Sequence, residues 1–107
     1  VKYVYAIRFG RYVKIGLTAD LPNRLAALPK GVLLVPRDID AKDREPLCAF
    51  PGELETERFL HGWLSDYRAV GEFFELPDEL VEKLRQHNSN AERTQMFRIN
   101  PSRPSDF

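Results

Sequence analysis

An α+β fold, a small three-stranded antiparallel sheet flanked by helices, follows from three observations on this chain of 107 residues. Two strand-like runs stand close together near the start, with only Gly10 and Arg11 between them. Segments of helical period follow, separated by Pro and Gly punctuation. The length allows one compact domain with one core and is too short for two. The predicted order is hairpin, helix, strand, helix, short extended piece, helix, which suits one sheet with helices packed on it.

The first run, KYVYAIRF, is apolar on both faces in part, as a covered strand is. The second, YVKIGLT, alternates, with Val13, Ile15 and Leu17 on one side and Tyr12, Lys14, Gly16 and Thr18 on the other. The GR pair between them supports a hairpin. TADLPNRLAAL then predicts a helix from near Asp20, with Thr18 or Asp20 as cap, Pro22 in the first turn, and Leu21, Leu25 and Leu28 facing inward. Arg24 precedes Leu25 and sits beside that buried stripe.

VLLV, residues 32–35, is a possible strand that Pro36 ends, and the charged run after it reads as a loop. PLCAF is the next strand, punctuated by Pro51 and Gly52. ELETERFLHGWLSDYR is the most helical segment, with Leu60, Trp63, Leu64 and Tyr67 as its apolar face. GEFFEL reads as a short strand or extended arm, and Pro77 opens a last helix, PDELVEKLRQH. Residues 1–87 are therefore expected to form a single domain, and residues 88–107, polar and without pattern, a loosely ordered C-terminal tail.

The apolar fraction of 43% is that of an ordinary globular domain, and no run is long enough to cross a bilayer. No basic n-region leading into an apolar segment opens the chain, so the expected setting is cytoplasmic with no membrane partner. Cys48 is the single cysteine, which excludes intrachain disulfides and a cysteine-rich zinc site. Formal net charge is zero, so no global attraction draws the chain to a polyanion. Up to residue 35, however, Lys2, Arg8, Arg11, Lys14, Arg24 and Lys30 are opposed only by Asp20, whereas residues 72–82 hold five carboxylates and no basic residue. The N-terminal half could bind a polyanion locally, although exposed charge also serves solubility.

Some residues fit packing poorly. Glu53, Glu57 and His61 are spaced four apart, which puts them in one row of the second long helix, and Glu57 borders its apolar face. A carboxylate at such a border is paired, metal-bound or titrating. For Glu57 the bland alternative is a solvent-edge residue or an ion pair with Arg24 or Arg58, and for His61 a surface or internally bonded histidine. Tyr3 and Tyr5 share one strand face and could be apolar bodies with satisfied hydroxyls. Lys14 stands in mid-strand between Val13 and Ile15, and Arg24 could clamp a phosphate through its planar fork. Together they suggest phosphodiester chemistry. One carboxylate anchors Mg²⁺ or Mn²⁺, an arginine stabilises charge on the phosphoryl oxygens, and the attacking water loses its proton to a tyrosinate or as metal hydroxide. A phenol of pKa about 10 needs nearby positive charge to act as base, and Lys14 beside Tyr5 would act in that direction.

With these residues assembled, the sequence resembles the GIY-YIG nuclease superfamily, and more closely its branch typified by a phage open-reading-frame domain. YVYAI stands for the first motif, VKIGLT for the second, NRLAAL for the arginine helix, LETERFLHGWL for the glutamate helix and RAVGEFFEL for the closing segment, in family order from Tyr3 to Leu76. The resemblance implies a GIY-YIG-like fold on a three-stranded antiparallel sheet and divalent-metal-dependent cleavage of DNA. It implies Tyr5 as general base, Arg24 on the scissile phosphate, Glu57 as metal ligand and Gly16 as the glycine of the second motif. His61 and Glu72 match positions of the closer branch. The first motif begins with Tyr3 in place of glycine, and Lys14 replaces the tyrosine of the second motif.

The expected catalytic set is Tyr5, Lys14, Arg24, Glu57 and His61, with Tyr3, Arg8, Arg11, Thr18 and Lys30 contacting nucleic acid. The expected function is a metal-dependent endonuclease hydrolysing DNA, with RNA open as a substrate. A homodimer or a fused DNA-binding domain would supply sequence selectivity, since one small domain covers little nucleic acid. The alternative is a catalytically inactive nucleic-acid-binding module of the same fold. A third reading makes Glu57, Arg24 and Lys14 an internal ion network.

Overall fold

The hairpin forms where the alternation places it. In the computed structural model, which describes residues 1–30, 32 and 34–98, β1 (Tyr3–Phe9) pairs antiparallel with β2 (Tyr12–Thr18), Tyr5 facing Gly16. The chain continues through α1 (Leu21–Ala27), β3 (Arg44–Pro51), α2 (Leu54–Trp63), a 3₁₀ turn (Ser65–Tyr67), β4 (Arg68–Val70), β5 (Phe73–Phe74), α3 (Asp78–His87) and α4 (Asn90–Phe97).

The sheet has five strands, in the order β3-β1-β2-β5-β4, and every pairing is antiparallel. The α+β class stands, and the three-stranded sheet is corrected to this five-stranded one. The two additional positions come from splitting RAVGEFF into strands of three and two residues. Neither is long enough to show an alternating pattern in sequence. Val32, Leu34 and Val35 lie outside any strand, while Leu33 of the VLLV run lies outside the described residues. β3 instead begins inside the charged run, because Arg44 and Glu45 both find partners there. The Arg44 guanidinium donates to the Leu25 and Leu28 carbonyls at the end of α1, at 2.9 and 2.8 Å. Glu45 accepts from Arg8 at 3.2 Å and from Arg85 at 2.8 Å.

Each face of the sheet carries its own apolar cluster. Tyr5, Ile7, Phe9 and Phe73 pack with Leu21, Leu25 and Leu28 on one side, joined by Phe97 of α4. Val4, Ala6, Val13, Ile15 and Phe74 pack on the other with Leu60 of α2, Leu64 just past its end, and Leu80 and Leu84 of α3. Cys48 belongs to this second cluster, and burial pushes its thiol up to about 12, so it is an inert apolar residue.

The tail is ordered further than its composition predicts. Ser89 and Glu92 cap α4 reciprocally, each side chain accepting from the other's backbone N–H at 3.1 and 3.0 Å. This S-x-x-E spacing is a capping box, legible in SNAE. The Asn88 side-chain oxygen accepts from the Ala49 N–H at 2.7 Å, and Arg93 donates to the Leu47 carbonyl at 3.4 Å. These contacts occupy backbone groups of β3, an edge strand that otherwise presents open hydrogen-bonding groups. The expected loosely ordered tail is thereby corrected for residues 88–97; residues 99–107 lie outside the described residues.

α2 is rotated from its expected face. Leu60 and Leu64 point inward with Glu57, whereas Trp63 is 67% exposed and Tyr67 leaves the helix for the 3₁₀ turn. At about 100° per residue, Glu57, Leu60 and Leu64 share an arc of roughly 60°. Trp63 falls off one side of that arc and His61 off the other. A buried carboxylate thus takes the place that an apolar count assigned to tryptophan.

Candidate active site

A cleft of about 350 Å³ is lined by Tyr5 and Lys14 from the hairpin, Arg24 from α1, Glu57 from α2, and Gly71 and Glu72 from the β4–β5 turn, with Leu17, Val32 and Leu34 at its apolar margin. It opens where the sheet is interrupted. Along β2, β5 pairs with Val13 and Lys14 alone, so the outer edge of β2 beyond Lys14 is left for other partners. The Ile15 N–H donates to the Glu72 backbone carbonyl at 3.0 Å, and the Ile15 carbonyl meets His61 Nε2 at 2.9 Å. A carbonyl only accepts, so Nε2 carries a hydrogen and the ring is held against β2.

Two glycines make the site geometrically possible. Gly71 has φ 56°, and a Cβ there would lie 2.8 Å from the Leu34 Cβ. This turn carries Glu72 over the cleft. Gly16 is needed for space: a Cβ would lie 2.6 Å from Tyr5 Cζ and 2.8 Å from Lys14 Nζ. Gly16→Ala is therefore expected to displace both side chains and cost about 1–3 kcal/mol, the usual scale of overpacking. Urea unfolding measures the cost, and a stability equal to wild type would show that the tyrosine ring can move aside freely.

The electrostatics are those of a crowded acidic site with one cation inside it and another at its rim. Lys14 is only 2% exposed and its ammonium pairs with Glu72, as a buried charge requires. Its Nζ also stands 5.4 Å from the centroid of the Tyr5 ring. Glu57, 7% exposed, forms no ion pair with Arg24 or Arg58 among the described residues. Burial holds its carboxyl above the usual carboxylate range and the neighbouring Glu72 adds to this, with His61 and Lys14 acting in opposition. Burial likewise raises the Tyr5 phenol well above its ordinary value. Arg24 pulls it down, while Glu72 and Glu57 push it up. With its ammonium on Glu72, Lys14 does not leave the phenol acidified; the resting Tyr5 keeps its proton.

Glu57, His61 and Glu72 each direct one ligand atom to a common place, all three within 4.8 Å of one another. A carboxylate this buried, beside a second carboxylate and with no cation of its own among the described residues, fits a divalent ion. Arg24, half-buried on the cleft wall, takes part in none of the ion pairs among the described residues. Its guanidinium is available to an anion.

Five expected residues thus gather at this place, Tyr5, Lys14, Arg24 and Glu57 in the cleft and His61 beside Glu57. Because the cleft is open to solvent, a sealed internal ion network does not describe it. The expected nucleic-acid contacts do not converge there. Arg8 pairs with Glu45, and Arg11 with Asp38 at 2.5 Å, both toward the far end of the hairpin. Tyr3 packs against the apolar cluster under α1 and α4 and lines a separate hollow with Asp20 and Met96. The Thr18 hydroxyl accepts from the Asp20 N–H at 3.1 Å at the start of α1, and Lys30 is exposed away from the cleft lining. Glu72 is the residue missing from the expected catalytic set. Its signals were its match to the closer branch, given there without a role, and the glycine before it, a turn former between two apolar runs. Comparison with protein-family models, curated proteins and solved structures finds no match to this chain.

Proposed function

We propose that the chain is a divalent-metal-dependent endonuclease that hydrolyses DNA phosphodiester bonds by water attack. The observation that carries this reading is the convergence of Tyr5, Arg24 and Glu57, from three separate elements, on one open cleft. The resemblance of the five motif segments to GIY-YIG nucleases assigns chemistry to the same three residues.

Arg24, with no counter-ion among the described residues, grips a phosphate through its planar fork and stabilises charge growing on the phosphoryl oxygens. Glu57 holds Mg²⁺ or Mn²⁺, which when bound supplies positive charge and Lewis acidity at a phosphodiester oxygen. Lys14 keeps Glu72 beside Glu57 and packs on the Tyr5 ring. Tyr5, protonated in the resting site, can donate its phenolic hydrogen to a phosphate that enters the cleft. It could take the proton of the attacking water only after giving up its own to solvent, which positive charge at its oxygen favours, and Arg24 already acts in that direction. Selectivity for a sequence would come from a second copy or a fused DNA-binding domain.

Cleavage of supercoiled and single-stranded DNA, with RNA in parallel, tests the proposal in Mg²⁺ or Mn²⁺ and in chelator. Metal-dependent product is expected, with Arg24→Ala reducing the rate about 10²–10³-fold while the fold is kept. Cleavage unaffected by chelator, or by loss of Arg24, would overturn it. DNA binding without cleavage would favour the inactive binding module.

A further inference from the structure

We infer that Glu57, His61 and Glu72 form a three-ligand site with one nitrogen donor, which takes a first-row transition ion such as Mn²⁺ in preference to Mg²⁺. The inference deepens the nuclease reading and rests on its assignment of Glu57, but it concerns which ion binds, and it is tested without nucleic acid.

Three observations support it. The ligand atoms of all three residues lie within 4.8 Å of one another, although they come from two turns of α2 and from the β4–β5 turn. The His61 ring is anchored, because Nε2 donates to the Ile15 carbonyl. That is the arrangement in which a backbone carbonyl orients a ligating imidazole. Glu57 is 93% buried without a cation partner among the described residues, and the one ammonium within the cluster belongs to Lys14 and sits on Glu72.

The donor set decides the ion. Mg²⁺ is a hard ion that prefers oxygen, keeps several waters and is usually held by one or two carboxylates. An imidazole with two carboxylates suits transition ions, which accept nitrogen readily. Glu72 stays in place without metal because Lys14 neutralises it and the Ile15 N–H holds its backbone carbonyl. The site is thus assembled before the ion arrives.

Calorimetric titration of the intact protein with Mn²⁺ and with Mg²⁺, and electron-spin-echo spectra of the Mn²⁺ form, test the inference. Mn²⁺ is expected to bind at least about tenfold more tightly than Mg²⁺, with ¹⁴N coupling from one imidazole. His61→Gln is expected to remove that coupling and to erase most of the preference for Mn²⁺. Equal affinities, or a Mn²⁺ spectrum without ¹⁴N coupling, would overturn the inference whether or not the variant folds. Magnesium-supported cleavage together with either result would overturn the ligand set alone and leave the nuclease reading standing.

Discussion

If the chain is the nuclease proposed, Glu57→Gln is expected to reduce metal-dependent cleavage strongly and, at the same time, to stabilise the metal-free protein. The first effect follows from the loss of the buried carboxylate that faces the cleft; without it no anionic ligand of α2 reaches the place where Glu72 and His61 meet. A fall of about 10²-fold or more is expected, the scale seen when a preorganised electrostatic group is removed from an active site. The second effect follows from the same burial. Glu57 sits beside Glu72, and its carboxyl is held above the ordinary range chiefly by desolvation and then by that neighbour. The amide keeps the shape of the side chain and removes the buried charge. A gain of about 1 kcal/mol would show as a rise of about 4–8 °C in Tm for a domain of this size.

The pH dependence has a definite sign. Glu57 binds its proton more tightly in the folded chain than in the unfolded one. Its contribution to stability is therefore fully present below the unfolded carboxylate range and is lost as pH rises through the folded value. The difference in Tm between Glu57→Gln and wild type, measured in chelator, should be small in acid and widen toward neutral pH. A variant less stable than wild type at neutral pH would mean that Glu57 holds the fold together rather than straining it. The expected trade of stability for a charged site is the one that active sites commonly make.

Phe97→Ala is the second large effect, and it concerns stability alone. Phe97 is 2% exposed and joins the cluster formed by Leu21, Leu25, Leu28 and the inner residues of the hairpin. Truncating a fully buried phenylalanine costs about 3–5 kcal/mol, a large part of the roughly 5–15 kcal/mol that holds a typical domain. Urea unfolding should show the midpoint move strongly downward. If residues 88–97 were a loose tail, the same substitution would change stability by no more than about 0.5 kcal/mol. Because α4 also packs on α1, which carries Arg24, the segment supports the wall of the cleft from outside.

How much was legible beforehand differs by element, for physical reasons. The hairpin was readable because strand alternation and a two-residue turn are local properties, and so was α1, whose Asp20 cap accepts from the Asn23 N–H at 3.2 Å. The charge pattern was misleading. Six cations in the first part of the chain and five carboxylates in residues 72–82 suggested a basic half and an acidic half. Folding pairs across that divide, Lys14 with Glu72 and Arg11 with Glu75 at 3.9 Å, while Arg8 is taken up by Glu45 of β3. Arg24 remains without an ion pair among the described residues.

The sequence by itself determined the α+β class, the hairpin, the first three helices, and the row that joins Glu57 to His61, since each depends on residues only a few positions apart. Tertiary structure alone decided that the sheet has five strands, that α2 turns Glu57 inward and Trp63 outward, and that Glu72 swings back over Lys14, 58 positions away. Those outcomes depend on which distant surfaces exclude water from one another and on which buried charges find a partner. Such contacts have no period along the chain.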